Sequence, residues 1–123
     1  MILLDTSVLI DSFCGTRTSE ARLRRLISSG EPVRLPAIVL FEWLRGPRIA
    51  KELIDQENVL PSERALPFGH TEAAVAAQFY RNVRSPRSRE IDLAIAATAI
   101  SHGASVWTLN PRDFVDVPGL RLA

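Results

Sequence analysis

The chain has 123 residues, 46% of them hydrophobic, which is enough apolar material for the core of one domain. Its 15 basic and 14 acidic residues give a formal net charge of +1, a balance that does not by itself indicate nucleic acid as a partner. Cys14 is the only cysteine, which excludes an intramolecular disulfide and fits a reducing compartment. We expect one domain over residues 1–123.

The amino terminus shows no export or membrane signal. Its apolar start reaches an acid at Asp5, and no basic segment precedes a longer apolar stretch. Nothing in the chain approaches the ~20 apolar residues that cross a bilayer. These features predict a cytoplasmic protein without a membrane partner.

Strand and helix patterns alternate in the first half of the chain. In order, we predict a strand at 1–4, a helix capped by Thr6 or Ser7, an amphipathic helix at 19–29, a strand at 32–36, a helix at 37–44, and a helix that Pro47 opens and that runs to about Asn58. Gly30 and Gly46 supply stop signals between them.

The second half continues the same alternation. We predict a loop at 61–69 with a brief strand at 65–66, a helix at 70–83, a helix at 89–102 capped by Ser88, a strand at 105–109, a helical turn around Asp113 and Phe114, and an edge strand at 119–122. Strands that alternate with helices predict an α/β domain whose central, mainly parallel sheet is covered by helices on both faces.

Three acidic residues lie in apolar surroundings. Asp5 follows an apolar strand, Glu42 lies inside the run 37–44, and Asp92 precedes the run 93–97. A buried carboxylate without a partner costs several kcal/mol, and these runs contain no Lys or Arg, so we expect the acids to share one compensated site. Oxygen ligands of this kind suit Mg²⁺ or Mn²⁺ rather than zinc.

Structural roles compete with this interpretation to different degrees. Asp5 also fits a helix cap, and Asp92 fits the positive end of a helix dipole. Asp113 follows the strand at 105–109, so it would share the carboxyl edge of the sheet with Asp5, although a turn is an ordinary position for Asp. Glu42, in the middle of an apolar helix, has no comparable structural explanation.

Four segments together resemble the PIN-domain ribonucleases, and most closely the toxin component of VapBC toxin–antitoxin systems. They are Leu3-Leu4-Asp5-Thr6-Ser7-Val8-Leu9-Ile10-Asp11, Leu40-Phe41-Glu42-Trp43-Leu44-Arg45-Gly46, Ile91-Asp92-Leu93-Ala94-Ile95-Ala96-Ala97-Thr98-Ala99 and Thr108-Leu109-Asn110-Pro111-Arg112-Asp113-Phe114. Each segment alone is a weak signal, but their order and spacing cover residues 1 to about 120. The resemblance implies the PIN fold, a three-layer α/β/α domain.

The resemblance also implies a metal-dependent endoribonuclease in which acids hold Mg²⁺ or Mn²⁺ over the scissile phosphate. The family's acids fall on Asp5, Glu42, Asp92 and Asp113, with Asp5 and Asp92 as metal ligands. Supporting polar residues fall on Thr6, Ser7, Thr108 and Asn110. Many relatives carry an acid where Asn110 stands, so either Asn110 or Asp113 completes the site, with one or two metals.

Partners follow from the same resemblance. It implies an RNA substrate, a homodimer and a VapB-type antitoxin that inhibits the enzyme. We expect the antitoxin to lay an apolar segment against Phe41, Trp43 and Leu44 and to direct a basic side chain toward the acids. Fourteen of the fifteen basic residues are Arg, which suits phosphate binding but also follows from GC-rich coding.

Two other functions remain open at the level of sequence. A phosphorylatable or metal-dependent regulatory domain also carries an acid after its first parallel strand, but it has no evident use for Glu42. An RNA-binding module that does not cut would need only the arginines. A Ser-His-Asp hydrolase and a zinc site are disfavoured, because the two histidines, His70 and His102, and the single cysteine stand in no recognisable motif. A nucleotide hydrolase is disfavoured because the chain has no G-x-x-x-x-G-K-[ST] phosphate loop.

Overall fold

Four short strands form one sheet in the computed structural model, which describes residues 1–123. They are β1 (Ile2–Leu4), β2 (Val33–Arg34), β3 (Ser105–Trp107) and β4 (Arg121–Leu122), and they lie in the order β2-β1-β3-β4. Every pairing is parallel, and Ile2 of β1 pairs with Val33 on one side and Ser105 on the other. The predicted parallel sheet is therefore confirmed, and residues that follow β1 and β3 meet at one edge.

Six helices cover this sheet and complete the three-layer α/β/α architecture. They are α1 (Thr6–Phe13), α2 (Glu20–Ser28), α3 (Ala37–Arg45), α4 (Ala50–Val59), α5 (His70–Asn82) and α6 (Glu90–Ser101), with 3₁₀ turns at Ser62–Arg64, Pro86–Ser88 and Pro111–Asp113. Helix α1 packs against α2, α3 and α4, whereas α6 packs against α3, α5 and β3. None of these helices has both the length and the hydrophobicity of a membrane span.

Helix α6 is the most deeply buried helix, as its apolar composition predicts. Every residue from Leu93 to Ala99 is buried, and the one polar member of that run, Thr98, donates its hydroxyl hydrogen to the Ala94 carbonyl at 2.8 Å. A helix that is apolar on all sides has to lie inside the protein. Because its buried interior cannot shift, α6 holds its first turn, and therefore Asp92, in a fixed position against the sheet.

The predicted helix starts need three corrections. Asp5, not Thr6 or Ser7, caps α1, since its extended backbone lets its carboxylate accept the Thr6 amide at 2.8 Å. Ser88 lies in a 3₁₀ turn, so α6 begins after Arg89 without a side-chain cap. Pro47 does not open α4, which starts only at Ala50.

The segment before α4 and the strand predicted at 65–66 also differ in detail from the prediction. The chain stays extended before α4, where the guanidinium of Arg48 stacks on the Trp43 ring at 4.3 Å from its centroid. The brief strand predicted at 65–66 is reduced to one isolated bridge between Pro36 and Leu66, because no further residues of the two segments pair.

The proposed partner surface on α3 also needs a correction, because Trp43 is fully buried. Its ring packs edge-on against Phe13 at 6.3 Å, and its indole nitrogen donates to the Gln56 side chain at 3.2 Å. Phe41 and Leu44 are more than half exposed. Two residues span about 200° of an α-helix, so Phe41 and Trp43 must face opposite sides. Only Phe41 and Leu44 are available to a partner.

Candidate active site

Asp5 lies at the carboxyl end of the central strand and is bound by three donors of the protein. One carboxylate oxygen accepts the Thr6 amide at 2.8 Å. The other accepts the hydroxyls of Ser7 at 2.8 Å and Thr108 at 2.7 Å. Asp5 is only 6% exposed, so these bonds replace the water that its charge would otherwise lose. Asp5 is both a helix cap and a residue of the site.

The hydroxyls that bind Asp5 also order the loop after β3. The Ser7 hydroxyl oxygen accepts the Leu109 amide at 3.1 Å, and the Thr108 hydroxyl oxygen accepts the Asn110 amide at 2.9 Å. The start of α1 and the end of β3 are therefore joined by side chains that are far apart in sequence. Ser7 and Thr108 thus contact Asp5, and their supporting role in the site stays a prediction.

Glu42 joins the same network through Thr6. The Thr6 hydroxyl donates a short hydrogen bond to one Glu42 oxygen, while the Thr6 amide binds Asp5. The other oxygen of Glu42 lies 3.4 Å from the guanidinium of Arg45, one helical turn further along α3. The expectation that no built-in counter-charge exists is therefore wrong for Glu42. Arg45 lies just outside the apolar run, at the i,i+3 spacing that brings two side chains together on a helix.

Asp92 differs from Asp5 and Glu42 because its carboxylate accepts no hydrogen bond and forms no ion pair in the structure. It is half-buried in the first turn of α6. Burial, and then the negative charges of Asp113, Asp5 and Glu42 in that order, together raise its pKa to about 6, against a smaller lowering by Arg89. The four predicted acids therefore share one electrostatic environment, and Asp92 is the member that is half-buried without a partner, since the unpaired carboxylate of Asp113 is exposed.

Asp113 is exposed and occupies the 3₁₀ turn that follows β3. Arg89 holds this turn: it donates to the Asp113 carbonyl at 2.8 Å and binds both oxygens of Asp116 at 2.6 and 2.9 Å. Asn110 is also exposed, and its side chain forms no hydrogen bond: only its backbone does, because its amide donates to the Thr108 hydroxyl and its carbonyl accepts the Asp113 amide. Between the two alternatives for the fourth acid position, the charge that acts on Asp92 is that of Asp113.

Sequence reasoning did not identify Arg45, Arg89 or Asp116. Arg45 and Arg89 each lie three residues from a site acid, which is the available signal for both. The sequence gives no signal that Asp116 pairs with Arg89, because 27 residues separate the two and only the fold brings them together.

The donor set fits Mg²⁺ or Mn²⁺ in chemistry and in charge. All candidate ligands are oxygen atoms, and Asp92 has free oxygens in a site that already repels its ionised form. The geometry is less complete, because no group of three or more His, Cys, Asp or Glu side chains is arranged to hold an ion. Asp5 is the reason in part, since its oxygens are engaged by Thr6, Ser7 and Thr108.

The raised pKa of Asp92 predicts that stability depends on pH. Its folded-state pKa of about 6 exceeds the ordinary 3.8, so folding takes up a proton between these values and the free energy of unfolding falls as pH rises from about 4 to about 6. We expect Asp92→Asn to be more stable than the parent above pH 6, by at most about 3 kcal/mol before solvent screening reduces it. The difference should vanish below pH 4.

Denaturant unfolding of metal-free protein across this pH range measures the effect. Glu90→Gln is the matched control, because Glu90 lies in the same helical turn but is exposed. Equal pH profiles for the parent and Asp92→Asn would contradict the electrostatic account of the site.

Comparison with known proteins identifies the family. The PIN domain profile matches residues 2–120. The chain is 31% identical to Ribonuclease VapC19 of Mycobacterium tuberculosis, with 98% of each chain covered. It is 41% identical to Ribonuclease VapC1 of Rickettsia felis, over 98% of this chain and 93% of the relative.

Solved structures agree with this assignment. FitAcB from Neisseria gonorrhoeae has a TM-score of 0.75 at 27% identity, over 100% of this chain and 97% of that one. DNA-bound VapBC from Salmonella typhimurium has a TM-score of 0.76 at 24% identity, over 99% and 96%, which supports the fold. The chain belongs to the PIN-domain family, in its VapC branch.

Proposed function

We propose that this protein is a Mg²⁺- or Mn²⁺-dependent endoribonuclease that acts as the toxin of a type II toxin–antitoxin module. The observation that carries the proposal is the convergence of Asp5, Glu42, Asp92 and Asp113, in which Asp92 has no partner for its charge. Two relatives that the chain matches over nearly its full length are named ribonuclease VapC. A phosphodiester is anionic, so four carboxylates alone would repel RNA, and the site needs a cation to act on it.

Asp92 and Asp5 are the residues that would hold the ion. Asp92 has both oxygens free, whereas Asp5 would keep some of its bonds to Thr6, Ser7 and Thr108 and so fix the position of its carboxylate. A bound ion would neutralise the phosphate, lower the pKa of a water molecule and stabilise the departing oxygen. The positive charge of the ion would offset the repulsion between Asp92 and the neighbouring carboxylates, and this favours binding.

Glu42 is the candidate base for the attacking water. Thr6 and Arg45 bind one of its oxygens each, so its carboxylate is held in one orientation at the edge of the pocket. It is 20% exposed, which leaves it accessible to a water molecule on the substrate side. Asp113 is exposed, and its charge raises the pKa of Asp92. It would complete the site.

The test of this function is cleavage of labelled RNA, with Mn²⁺ and then with EDTA. We expect the parent to cut only with metal, and Glu42→Gln to fold normally but lose about 10²- to 10⁴-fold in rate, because the amide cannot accept the proton of the attacking water. Glu63→Gln is the control, since Glu63 is exposed and forms no side-chain bond.

The same assay separates the alternatives. Binding of RNA without cutting, in either condition, would favour a non-cleaving RNA-binding module. Cleavage by Glu42→Gln at the parent rate would remove Glu42 from the mechanism.

We also propose that the protein forms a homodimer and is inhibited by a VapB-type antitoxin. Several similar structures are of VapBC complexes, which supports an antitoxin as the partner. Phe41 and Leu44 are exposed on α3, the helix that carries Glu42, so an apolar segment bound there would lie next to the acids. A basic side chain of that segment would then take over the compensation of Asp92 and compete with the metal.

This inhibition mechanism predicts competition between metal and antitoxin. We expect added Mn²⁺ to restore RNA cleavage by the purified complex. An antitoxin whose basic tail residues are changed to Ala should need less Mn²⁺ for the same recovery. Equal inhibition by both antitoxins at every Mn²⁺ concentration would contradict an action through the acidic pocket, and light scattering of the free toxin tests the homodimer.

A further inference from the structure

Three arginines beside the acid cluster have no carboxylate partner. Arg84 lies in the link between α5 and α6, Arg87 lies in the 3₁₀ turn at Pro86–Ser88, and Arg112 precedes Asp113 in the turn after β3. All three are exposed, and none takes part in an ion pair. Their guanidinium donors are therefore free for an external anion.

Several other arginines do have carboxylate partners. Arg17 binds Glu20 and Asp55, Arg24 binds Glu20, and Arg45 contacts Glu42. Their positive charge is offset within the protein. Arg25 and Arg64 are also exposed and form no ion pair, so the three free arginines are distinguished by their position next to the acids and not by the lack of a partner alone.

Arg89 brings the segments of the three free arginines together. Its guanidinium donates to the carbonyl oxygen of Arg84 at 3.0 Å and to that of Asp113 at 2.8 Å. One side-chain group thus spans both backbones. The bidentate pair with Asp116 fixes the guanidinium itself, which is only 15% exposed. The two segments form one built surface rather than two independent loops.

This surface borders the acid cluster. Arg112 immediately precedes Asp113 in the turn after β3, whose backbone Arg89 binds. Arg89 is three residues before Asp92, at the start of the same helix. A strand bound to the arginines would therefore pass next to the acids.

We infer that Arg84, Arg87 and Arg112 form a phosphate-binding surface that holds the backbone of single-stranded RNA next to the acid cluster. The inference rests on the proposed function and names the residues that bind its substrate. A guanidinium matches the geometry of a phosphate and remains charged at any working pH. The positive surface also offsets the repulsion that the carboxylates exert on an approaching strand.

An acidic protein segment could in principle use the same guanidinium groups. RNA is favoured because the arginines border the acids at which a scissile phosphate would have to lie, and because nucleic-acid backbones present phosphates at regular intervals. Binding of the antitoxin instead of RNA is therefore an outcome that the experiment has to distinguish.

The experiment measures binding of a labelled single-stranded RNA by fluorescence anisotropy, in EDTA and at several salt concentrations. The test variant is Arg84→Gln/Arg87→Gln/Arg112→Gln in the full-length protein. The control is Arg25→Gln/Arg64→Gln/Arg121→Gln, which removes the same charge from three exposed arginines that also form no ion pair. Arg121 pairs with Ser105, the first residue of β3, and so lies at the sheet edge opposite Asp5. Arg25 lies in the last turn of α2, and Arg64 borders β2.

We expect the test variant to lose about 2 from the slope of log affinity against log salt, since each phosphate contact on a single strand contributes about 0.7. With Mn²⁺, its KM for RNA should rise while kcat stays close to that of the parent. The control should retain the parent slope and KM. Equal slopes for test variant and parent, or equal losses in both triple variants, would overturn the inference.

Two further outcomes distinguish this inference from binding of the antitoxin by the same surface and from the proposed ribonuclease function. A test variant that binds RNA like the parent but loses affinity for antitoxin would assign the surface to the inhibitor and overturn the inference. A parent that binds RNA through these arginines but never cleaves it would refute the proposed function and leave the surface standing. If the triple variant fails to fold, the three single variants, each at an exposed position, provide the same slopes at about 0.7 per residue.

Discussion

Repulsion among four carboxylates at the end of the central strand is the constraint on which this structure depends. Asp5, Glu42 and Asp113 all disfavour the ionised form of Asp92. A fold keeps such a group only if something outside the apolar core compensates it. For Glu42 and Asp5 the compensation is internal, through Arg45, Thr6, Ser7 and Thr108. For Asp92, the proposed function assigns the compensation to a divalent cation.

The side chains around Asp5 connect this electrostatic problem to the fold. The Thr6 amide that begins α1 binds Asp5, and the hydroxyl of the same residue binds Glu42 on α3. Ser7 and Thr108 join α1 to the loop after β3. The site is thus built from groups that also start a helix and close a loop, so its geometry is as rigid as those elements. A rigid site is what positions reacting groups.

Much of the fold and part of the site could be predicted from the sequence. The alternation of apolar strands and helices has a short-range signal, and the acids in apolar runs, Asp5, Glu42 and Asp92, stand out because burial of charge is costly. The prediction of the α1 cap was wrong, because Asp5, the candidate site acid, also caps the helix. The exposure of Trp43 was wrong because an apolar helix does not reveal which of its faces meets the core.

Long-range pairs were beyond the reach of the sequence. Arg89 meets Asp116 and the Asp113 carbonyl only because the turn after β3 packs against the start of α6. No local pattern encodes a contact across more than twenty residues. For the same reason, the sequence does not show that the segments carrying Arg84, Arg87 and Arg112 lie together. The hydrogen bonds of Arg89 to both segments show it.

The central claim is that a divalent cation compensates the acid cluster, and calorimetric titration of Mn²⁺ near neutral pH tests it most directly. The account predicts that the parent binds Mn²⁺ and that Asp92→Asn and Asp5→Asn lose most of that affinity. Asp55→Asn should bind like the parent, because Asp55 pairs with Arg17 and Lys51 away from the site. Parent-like Mn²⁺ binding by both Asp92→Asn and Asp5→Asn, or no binding by the parent, would contradict the account.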